Sequence, residues 1–439
     1  MPALNDSKAP PVVTTLTPVF ARLFDRDALL LEARRLGAVK RDRMLHVWDV
    51  LLAMVRCAIG DEHRSVATAR RQFFDLTGVM PEESSFYDRL TPAFADLAWQ
   101  QFLRVLASAN RVQRKRVAKA LGVHVRDVRV VDASVVTLPA RAAAHFPSTD
   151  SKHGGFKITA TLSVLEDVLV GAHLTDARRH DRKAFELPAD RRGVLWIADR
   201  GYTDHRLFAE IADGDGYFLI RLKTSSQPTL TKIRSGVAKT HLDEPLTPEL
   251  PVWGVVDVDA RFQVGRNKSR VFRVVGIPVA QRKDGDPGHI WLATNLPDRV
   301  AAETVGAFYR LRWAVENLFR VLKSVGRLDE LRSGKPAVIR AFIAATLVGW
   351  ALTQLICAAM RTERPRCEPS QYRVFAILLA NLGSLVEAAA AGRRALLARL
   401  EAFRAALWRE GVNPNPGRPY ARERHLAAVV FQLGLCGLD

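Results

Sequence analysis

The spacing of apolar side chains divides the chain into a helical part and a β-rich part. Over residues 1–120, apolar positions recur at the three- and four-residue intervals of amphipathic helices, as in HVWDVLLAMVRCAIG. From Val125 the pattern changes to short runs rich in β-branched residues, namely VRVVDASVV, FKITATLSVL and DVLVGAHL. These runs predict three consecutive strands with tight connections.

The β-rich part continues as a mixed α/β pattern. A short helix is predicted in RHDRKAFELPAD, a strand in VLWIAD, a second helix in HRLFAEIA and a further strand in YFLIRLK. Between Thr224 and Ile290, the β-rich segments VWGVVDVDARFQV and RVFRVVGIPVA predict an inserted small β domain. A strong helix is predicted from Asp298 to Lys323, and the remainder of the chain is Ala- and Leu-rich helix.

Five regions follow from this pattern, and a chain of 439 residues is long enough for several structural units. They are a helical region 1–120, the first part of an α/β core 121–223, a β-rich insertion 224–290, the rest of the core with its helix 291–335, and a C-terminal helical region 336–439.

One apolar stretch, Ala341 to Met360, carries no charge and is long enough to span a bilayer. Thr346, Thr353 and Gln354 lower its hydrophobicity, and it directly follows the predicted core helix. We therefore expect a buried core helix and no membrane partner. A membrane anchor is the alternative, and recovery of the protein from the soluble fraction without detergent would exclude it.

The charge of the chain indicates a polyanionic partner. Lys and Arg outnumber Asp and Glu by 65 to 46, which gives a formal charge of +19. Other basic proteins, such as ribosomal ones, share this balance. The four cysteines form no C-x-x-C pair, so a zinc site or disulfide framework is not indicated and a reducing cytoplasm fits better. The sequence contains no Walker-type phosphate loop, so no nucleotide cofactor is expected.

Two aspartates stand where apolar strands are predicted. Asp132 follows three aliphatic or β-branched residues in VRVVDASVV, and a buried charge there is costly unless it is paired or holds a metal ion. Asp199 ends the apolar run of VLWIADRGYTD and precedes Gly201, at the carboxyl end of a strand, where ligands of α/β sheets gather. The alternative for Asp199 is a structural role as a turn or helix cap.

A third acidic residue lies on the predicted helix. Tyr309, Arg312, Glu316 and Lys323 fall on one stripe about 60° wide on a helical wheel. The opposite arc is apolar and should pack on the sheet; it comprises Phe308, Leu311, Val315, Leu318 and Leu322. One rigid helix can therefore present an acid, two cations and a phenol to one place. The alternative is a solvated polar face on which Glu316 pairs with Arg320.

These residues form blocks that resemble a known family. Tyr309, Arg312, Glu316 and Lys323 match Y-x2-R-x3-E-x6-K, the signature of transposases of the insertion sequence 4 family. A first-strand D-x-[ST] is present as Asp132-Ala-Ser134, and a D-R-G-Y block as residues 199–202. The resemblance covers roughly residues 125–335. It implies a ribonuclease-H-like mixed-sheet core, interrupted by a β-rich insertion and flanked by helical regions.

The same resemblance implies a two-metal site. Asp132 would bridge two Mg²⁺ ions, Asp199 would bind one of them and Glu316 the other, and Mn²⁺ would substitute for Mg²⁺. Hard cations of this kind prefer carboxylate oxygen, so no Cys or His ligand is needed. Two such ions stabilise the attacking and leaving oxygens of an in-line displacement at phosphorus.

DNA contacts are implied around that site. Tyr309, Arg312 and Lys323 resemble phosphate contacts that position the scissile strand, and the planar fork of arginine suits this role. In relatives that cut through a DNA hairpin, an aromatic residue at the close of the insertion stacks on a flipped base, and Trp291 stands at that point. A core tryptophan is the alternative for Trp291, and Trp313 is equally ambiguous.

Weaker signals remain open. His153 and Lys157, in SKHGGFK, resemble a stretch that follows the first aspartate in relatives, but a solvated hairpin edge explains them equally well. His173, His180 and Asp181 do not have the spacing of a metal-binding cluster.

The sequence therefore predicts a cut-and-paste DNA transposase that cleaves terminal inverted repeats and transfers the strand into target DNA. The N-terminal helices would bind the transposon end, and the C-terminal helices would pair two protomers on double-stranded DNA, in the bacterial cytoplasm at the nucleoid. Two alternatives stay open: a DNA-binding protein derived from a transposase but without catalysis, and a nuclease of similar fold that cleaves without joining.

Overall fold

The computed structural model describes residues 10–23, 25–39, 45–59, 63–112, 125–150, 152–164, 168–238, 242–246, 252–278, 289–324, 327–365 and 367–413. In these residues the chain forms a nine-stranded mixed sheet and thirteen α-helices. The predicted α/β class is confirmed.

The strands were expected from their runs of β-branched and aromatic residues. They are β1 (Asp127–Leu138), β2 (Gly154–Ser163), β3 (Val168–Asp176), β4 (Val194–Ala198), β5 (Tyr217–Arg221), β6 (Thr229–Ala238), β7 (Val252–Gly265), β8 (Lys268–Pro278) and β9 (His289–Thr294). Their order in the sheet is β3-β2-β1-β4-β5-β9-β8-β7-β6. Strands β1, β4 and β5 run parallel to one another, and every other neighbouring pair is antiparallel.

The helices fall into three groups along the chain. The first group is α1 (Pro11–Leu23), α2 (Arg26–Arg35), α3 (Val47–Ile59), α4 (Val66–Thr77), α5 (Glu83–Tyr87) and α6 (Pro92–Val112). The sheet region contains α7 (Asp181–Ala184), α8 (His205–Asp213), α9 (Ala302–Tyr309) and α10 (Trp313–Ser324). The last group is α11 (Pro336–Glu363), α12 (Gln371–Ala390) and α13 (Arg393–Glu410).

Helix α11 is the centre of a helical body built from both ends of the chain. It packs against α1, α3 and α6 from the N-terminal group and against α12 from the C-terminal group. Every residue from Ala341 to Met360 is buried, as expected for a core helix. By length and hydropathy α12 could also cross a membrane, and 39% of its most apolar window is buried.

The order of elements from β1 to β5 agrees with the prediction: three strands, a helix, a strand, a helix and a strand. Strands β6 to β8 arise from the predicted insertion, and they continue the same sheet because β9 pairs with both β5 and β8. The five residues predicted to form the apolar arc of the following helix are all buried.

The predicted uninterrupted helix from Asp298 to Lys323 is wrong in two respects. Asp298 lies in a turn, and α9 begins only at Ala302. A 3₁₀ turn at Arg310–Arg312 then separates α9 from α10. A helical wheel assumes a constant 3.6 residues per turn, whereas the 3₁₀ turn is tighter and rotates Tyr309 relative to α10.

Several predicted features lie outside the described residues. They include most of the basic cluster RVQRKRVAK at 111–119, part of the cluster RRLGAVKRDR, and Cys436. The cysteines in the described part, Cys57, Cys357 and Cys367, form no disulfide with one another. The role of the N-terminal helices in DNA-end binding stays a prediction.

Candidate active site

Two aspartates meet at the edge of the sheet where β1 and β4 run side by side. Val131 of β1 is in register with Ala198, the last residue of β4, in a parallel pair. Asp132 follows Val131 and Asp199 follows Ala198, so the two acids stand at the same level, where the pairing of β1 with β4 ends; β1 itself continues beside β2 to Leu138. Neighbouring strands lie about 4.8 Å apart, which sets the separation of the two backbones.

Asp132 lies in a site that disfavours its charge. The pKa of Asp132 is raised from its ordinary value of 3.8 to about 6, chiefly by burial and also by the negative charges of Asp199 and Glu316. Two contacts oppose this rise, a hydrogen bond of 2.8 Å from the Ala133 N–H to Oδ1 and the positive charge of Arg312. The three carboxylates predicted to bind metal are therefore close enough to repel one another.

Asp199 also has a structural role. It precedes the 3₁₀ turn at Arg200–Tyr202, and its Oδ1 accepts a 2.7 Å hydrogen bond from the Gly201 N–H. The capping alternative considered from the sequence is thus realised. This hydrogen bond fixes one oxygen of the carboxylate at the end of β4.

Arg312 joins two of the carboxylates. Its Nη2 lies 2.5 Å from Oε1 of Glu316, and its Nη1 lies 3.4 Å from Oδ2 of Asp132. Glu316 therefore points toward the aspartates and pairs back with Arg312, one helical turn earlier. The guanidinium stands between two acids that the sequence had assigned to metal binding.

Tyr309 and Lys323 lie on either side of this cluster. The Tyr309 side chain is buried and hydrogen-bonds Arg312. Burial raises the pKa of Tyr309 to about 12, although the charges of Arg312 and Arg221 oppose the rise. Nζ of Lys323 donates a 2.8 Å hydrogen bond to the carbonyl of Val135, three residues beyond Asp132 on β1. Lys323 thus lies beside the part of β1 that follows Asp132.

The two candidate tryptophans differ in exposure. Trp291 is only 4% exposed and packs on Gly276, where a Cβ atom would come within 2.7 Å of the ring. Stacking on a DNA base would require the indole to leave this packing, and that role stays a prediction. Trp313 is 38% exposed at the start of α10.

Sequence reasoning missed a lysine and its partner. A solvated hairpin edge was one explanation of Lys157 from the sequence. In the structure Lys157 is only 7% exposed, and it lies on a strand that is buried at every position. Its Nζ lies 2.6 Å from Oδ1 of Asp181. A lysine inside the otherwise uncharged run FKITATLSVL was the available signal, because a buried ammonium needs a partner.

The donor set suits a divalent cation. Asp132, Asp199 and Glu316 supply only carboxylate oxygens, the ligands that Mg²⁺ and Mn²⁺ prefer, and the charges of Asp199 and Glu316 help to raise the pKa of Asp132. Within the described ranges, no three His, Cys, Asp or Glu side chains already converge as a metal cluster. Arg312 lies where such convergence would occur, so the residues fit the cation chemically once the guanidinium moves aside.

Comparison with known proteins agrees with this geometry. The family model described as "Transposase DDE domain" matches residues 124–352, more than half of the chain and the whole stretch from β1 into α11. The chain belongs to the transposase DDE domain family. The match includes all three carboxylates: Asp132 within β1, Asp199 directly after β4 and Glu316 on α10.

Individual transposases of this kind match over different lengths. A transposase for insertion sequence element IS421 of Escherichia coli is 40% identical over 84 residues, which is 19% of this chain and 21% of that protein. The chain thus spans about a fifth of the length of that relative. A transposase for IS231B of Bacillus thuringiensis subsp. berliner is 19% identical over 403 residues, which cover 81% of this chain and 83% of the relative.

Proposed function

We propose that this chain is a metal-dependent DNA transposase that cleaves the ends of its own insertion sequence and joins them to target DNA. The observation that supports this most directly is that Arg312 joins Asp132 to Glu316, while the charge of Asp199 helps to raise the pKa of Asp132, all within the stretch matched by the family. We further infer a ribonuclease-H-like core and membership of the insertion sequence 4 group, on the signature that runs from Tyr309 to Lys323.

The proposed chemistry divides between the carboxylates and the cations. Asp132, Asp199 and Glu316 would hold two Mg²⁺ ions, and Mn²⁺ would substitute for them. When bound, the ions supply the activated oxygen and the charge needed for displacement at phosphorus. Arg312 would turn from the carboxylates to a phosphate of the scissile strand, where its fork can donate two hydrogen bonds. Lys323 would hold the next phosphate along β1.

The buried Tyr309 phenol would position Arg312 during this exchange. The hydrogen bond between the two side chains keeps the guanidinium near the site whether its partner is a carboxylate or a phosphate. Because the pKa of Tyr309 is raised to about 12, the phenol stays neutral at physiological pH and acts as a hydrogen-bonding group.

The proposed partners are double-stranded DNA at the transposon ends and at the target. A formal charge of +19 supports a polyanionic partner. Two protomers would act together on paired ends, with the C-terminal helices in contact, in the bacterial cytoplasm at the nucleoid. We propose cut-and-paste transfer, and a hairpin route would add base stacking by Trp291 after the indole leaves its present packing.

Removal of single carboxylates tests the proposal. We expect Asp132→Ala and Glu316→Ala to abolish Mg²⁺-dependent cleavage of end DNA. The loss should be on the order of 10³-fold or more, as expected for a catalytic metal ligand. Binding of end DNA in a gel-shift assay should be retained. Glu303→Gln removes an exposed acid of α9 in the same segment and should cleave normally. Normal cleavage by both carboxylate variants would contradict the assignment.

Strand joining separates the proposal from the two alternatives. Wild-type protein given end DNA with a free 3′-hydroxyl and a target plasmid should join them. A nuclease would cleave but leave the plasmid unjoined. A DNA-binding protein without catalysis would shift the end DNA in a gel and do neither.

A further inference from the structure

A part-buried ion pair stands beside the turn that follows the second carboxylate of the site. Lys157 lies on β2, which is buried along its whole length. Its Nζ donates to the carbonyl of Arg179 at 2.5 Å and to Oδ1 of Asp181 at 2.6 Å. A buried ammonium is costly without such partners, so this pair fixes the start of α7 against β2.

The other oxygen of Asp181 faces the turn that carries Asp199. A Cβ atom on Gly201 would lie 2.8 Å from Oδ2 of Asp181 and 2.9 Å from Oδ1 of Asp199. The two carboxylates therefore flank the same glycine Cα. With its N–H donated to Asp199, Gly201 lies between two acids, and a side chain there would displace at least one of the two carboxylates.

Tyr202 ties the same turn to α7. Its ring is fully buried and meets Phe185, the residue that follows α7, edge to face at 5.9 Å. Among the described residues its hydroxyl has no hydrogen-bond partner. Burial raises the pKa of the Tyr202 phenol, and the charges of Asp132, Asp181 and Asp199 raise it further. The raised pKa of the phenol thus indicates that three carboxylates lie near this turn.

We propose that Lys157 and Asp181 are positioning residues that hold Asp199 in the orientation its metal-binding role requires, an inference that rests on the proposed function. Lys157 neutralises Asp181, so that this acid can stand beside Asp199 without repelling it. Asp181 in turn supports the far side of the Gly201 turn. Neither residue needs to touch the metal or the DNA for this.

The chain offers a matched control in the same helix. Arg182, the next residue of α7, pairs with Asp204 at 2.9 Å and so anchors α7 to the start of α8. This ion pair stabilises the same helix but stands outside the contacts around Gly201. Arg182→Met should therefore destabilise α7 without changing the orientation of the Asp199 side chain.

The test is Mn²⁺ binding to the DNA-free protein, measured by calorimetry and by electron paramagnetic resonance of the free ion, beside the melting temperature. Lys157→Met leaves Asp181 uncompensated beside Asp199, and we expect the Kd for Mn²⁺ to rise by about 10- to 100-fold, as for other residues that orient metal ligands. Asp181→Asn should raise it in the same direction. Arg182→Met should shift it less than about twofold for a similar drop in melting temperature.

Two results would overturn the positioning role. One is wild-type Mn²⁺ affinity in a folded Lys157→Met protein, or in Asp181→Asn if the lysine variant does not fold. The other is tighter binding in Lys157→Met, which would make the released Asp181 a ligand itself. Wild-type protein that binds no Mn²⁺ would overturn the proposed function as well, so the two failures are distinguishable.

Discussion

At the scale of single residues, the site combines groups whose charges oppose one another. Asp132 is destabilised by burial and by its acidic neighbours, whereas Arg312 offsets part of that cost through contacts with Asp132 and Glu316. Removing one partner of such a cluster leaves the other charge uncompensated. Replacing Asp132 tests the negative charge of this cluster, and replacing Arg312 tests its positive charge.

Replacing Asp132 should stabilise the fold in a pH-dependent way. The folded pKa of Asp132 is raised to about 6, so folding binds a proton between pH 3.8 and 6. The stabilisation of the folded state by proton binding to Asp132 is complete below the ordinary pKa of the residue, and it is lost as the pH rises through 6. At pH 8, Asp132→Asn should therefore gain up to ~3 kcal/mol in unfolding free energy over wild type, and nothing at pH 3.5. Urea denaturation at both pH values measures it, and a gain independent of pH would contradict the explanation.

Replacing Arg312 should favour metal binding in the absence of DNA. The guanidinium and a divalent cation compete for oxygens of Asp132 and Glu316. Arg312→Gln removes one charge-assisted hydrogen bond, worth ~1.5 kcal/mol, that competes with the cation. The substitution should therefore lower the Kd for Mn²⁺ by about tenfold. Arg310→Gln removes the same charge from an exposed position two residues away and should leave the Kd unchanged. Weaker Mn²⁺ binding in Arg312→Gln would show that the arginine supports the site instead of competing for it.

The residues that could be predicted are those whose sequence neighbours already define their surroundings. Asp132 and Asp199 end apolar runs, and the period of the apolar residues around Glu316 fixes which arc faces the sheet. The pairing of Lys157 with Asp181 joins residues 24 positions apart and depends on how β2 packs against α7. No local pattern encodes that contact, so the sequence predicts the three carboxylates and leaves the role of Lys157 open.

At the scale of elements, the strands from the predicted insertion are joined to the start of α9 by a buried arginine. Arg273 on β8 donates to both oxygens of Asp257 on β7, at 2.8 and 2.7 Å. Its Nη1 also donates to the carbonyls of Pro297 and Val300, just before α9. The same side chain therefore holds two strands together and fixes where α9 begins.

Loss of Arg273 should be costly. Arg273→Met leaves Asp257 buried without its cation and two carbonyls without a donor, and we expect a loss of about 3–5 kcal/mol in unfolding free energy by urea denaturation. Arg192→Met removes an ion pair with Asp215 whose side chains are 84% and 67% exposed, and should change little. Equal effects of the two substitutions would contradict the anchoring role of Arg273.

The interrupted helix belongs to the same scale. The turn at Arg310–Arg312 could not be read from periodicity, because the apolar positions before and after it still fit a single wheel. Its consequence is local: Tyr309 ends one helix and Glu316 lies on the next. The signature residues are thus carried by two helices and the joint between them.

At the scale of the whole molecule, the two ends of the chain fold together. Helix α11 is covered by α1, α3 and α6, which precede it by more than 200 residues. The sequence indicated that residues 341–360 are a core helix, but not which helices cover it. Amphipathic faces identify what is buried and do not name the partner.

A fragment that begins at Val125 should therefore be insoluble. Without α1, α3 and α6, the apolar surface of α11 would be open to water, and exposed patches of that size lead to association. The measurement is the soluble fraction on expression, with the full chain as control and size-exclusion chromatography of whatever remains in solution. A monomeric, soluble fragment would contradict this account of the helical body.

The register of β1 with β4 has one further consequence. Main-chain hydrogen bonding holds the backbones of β1 and β4 about 4.8 Å apart immediately before the first two acids, which limits how far these can move relative to each other. The third acid is carried by a helix that follows a tight joint. Since the sheet fixes the backbones of the first two acids, any large change in their distance from Glu316 requires movement of α10.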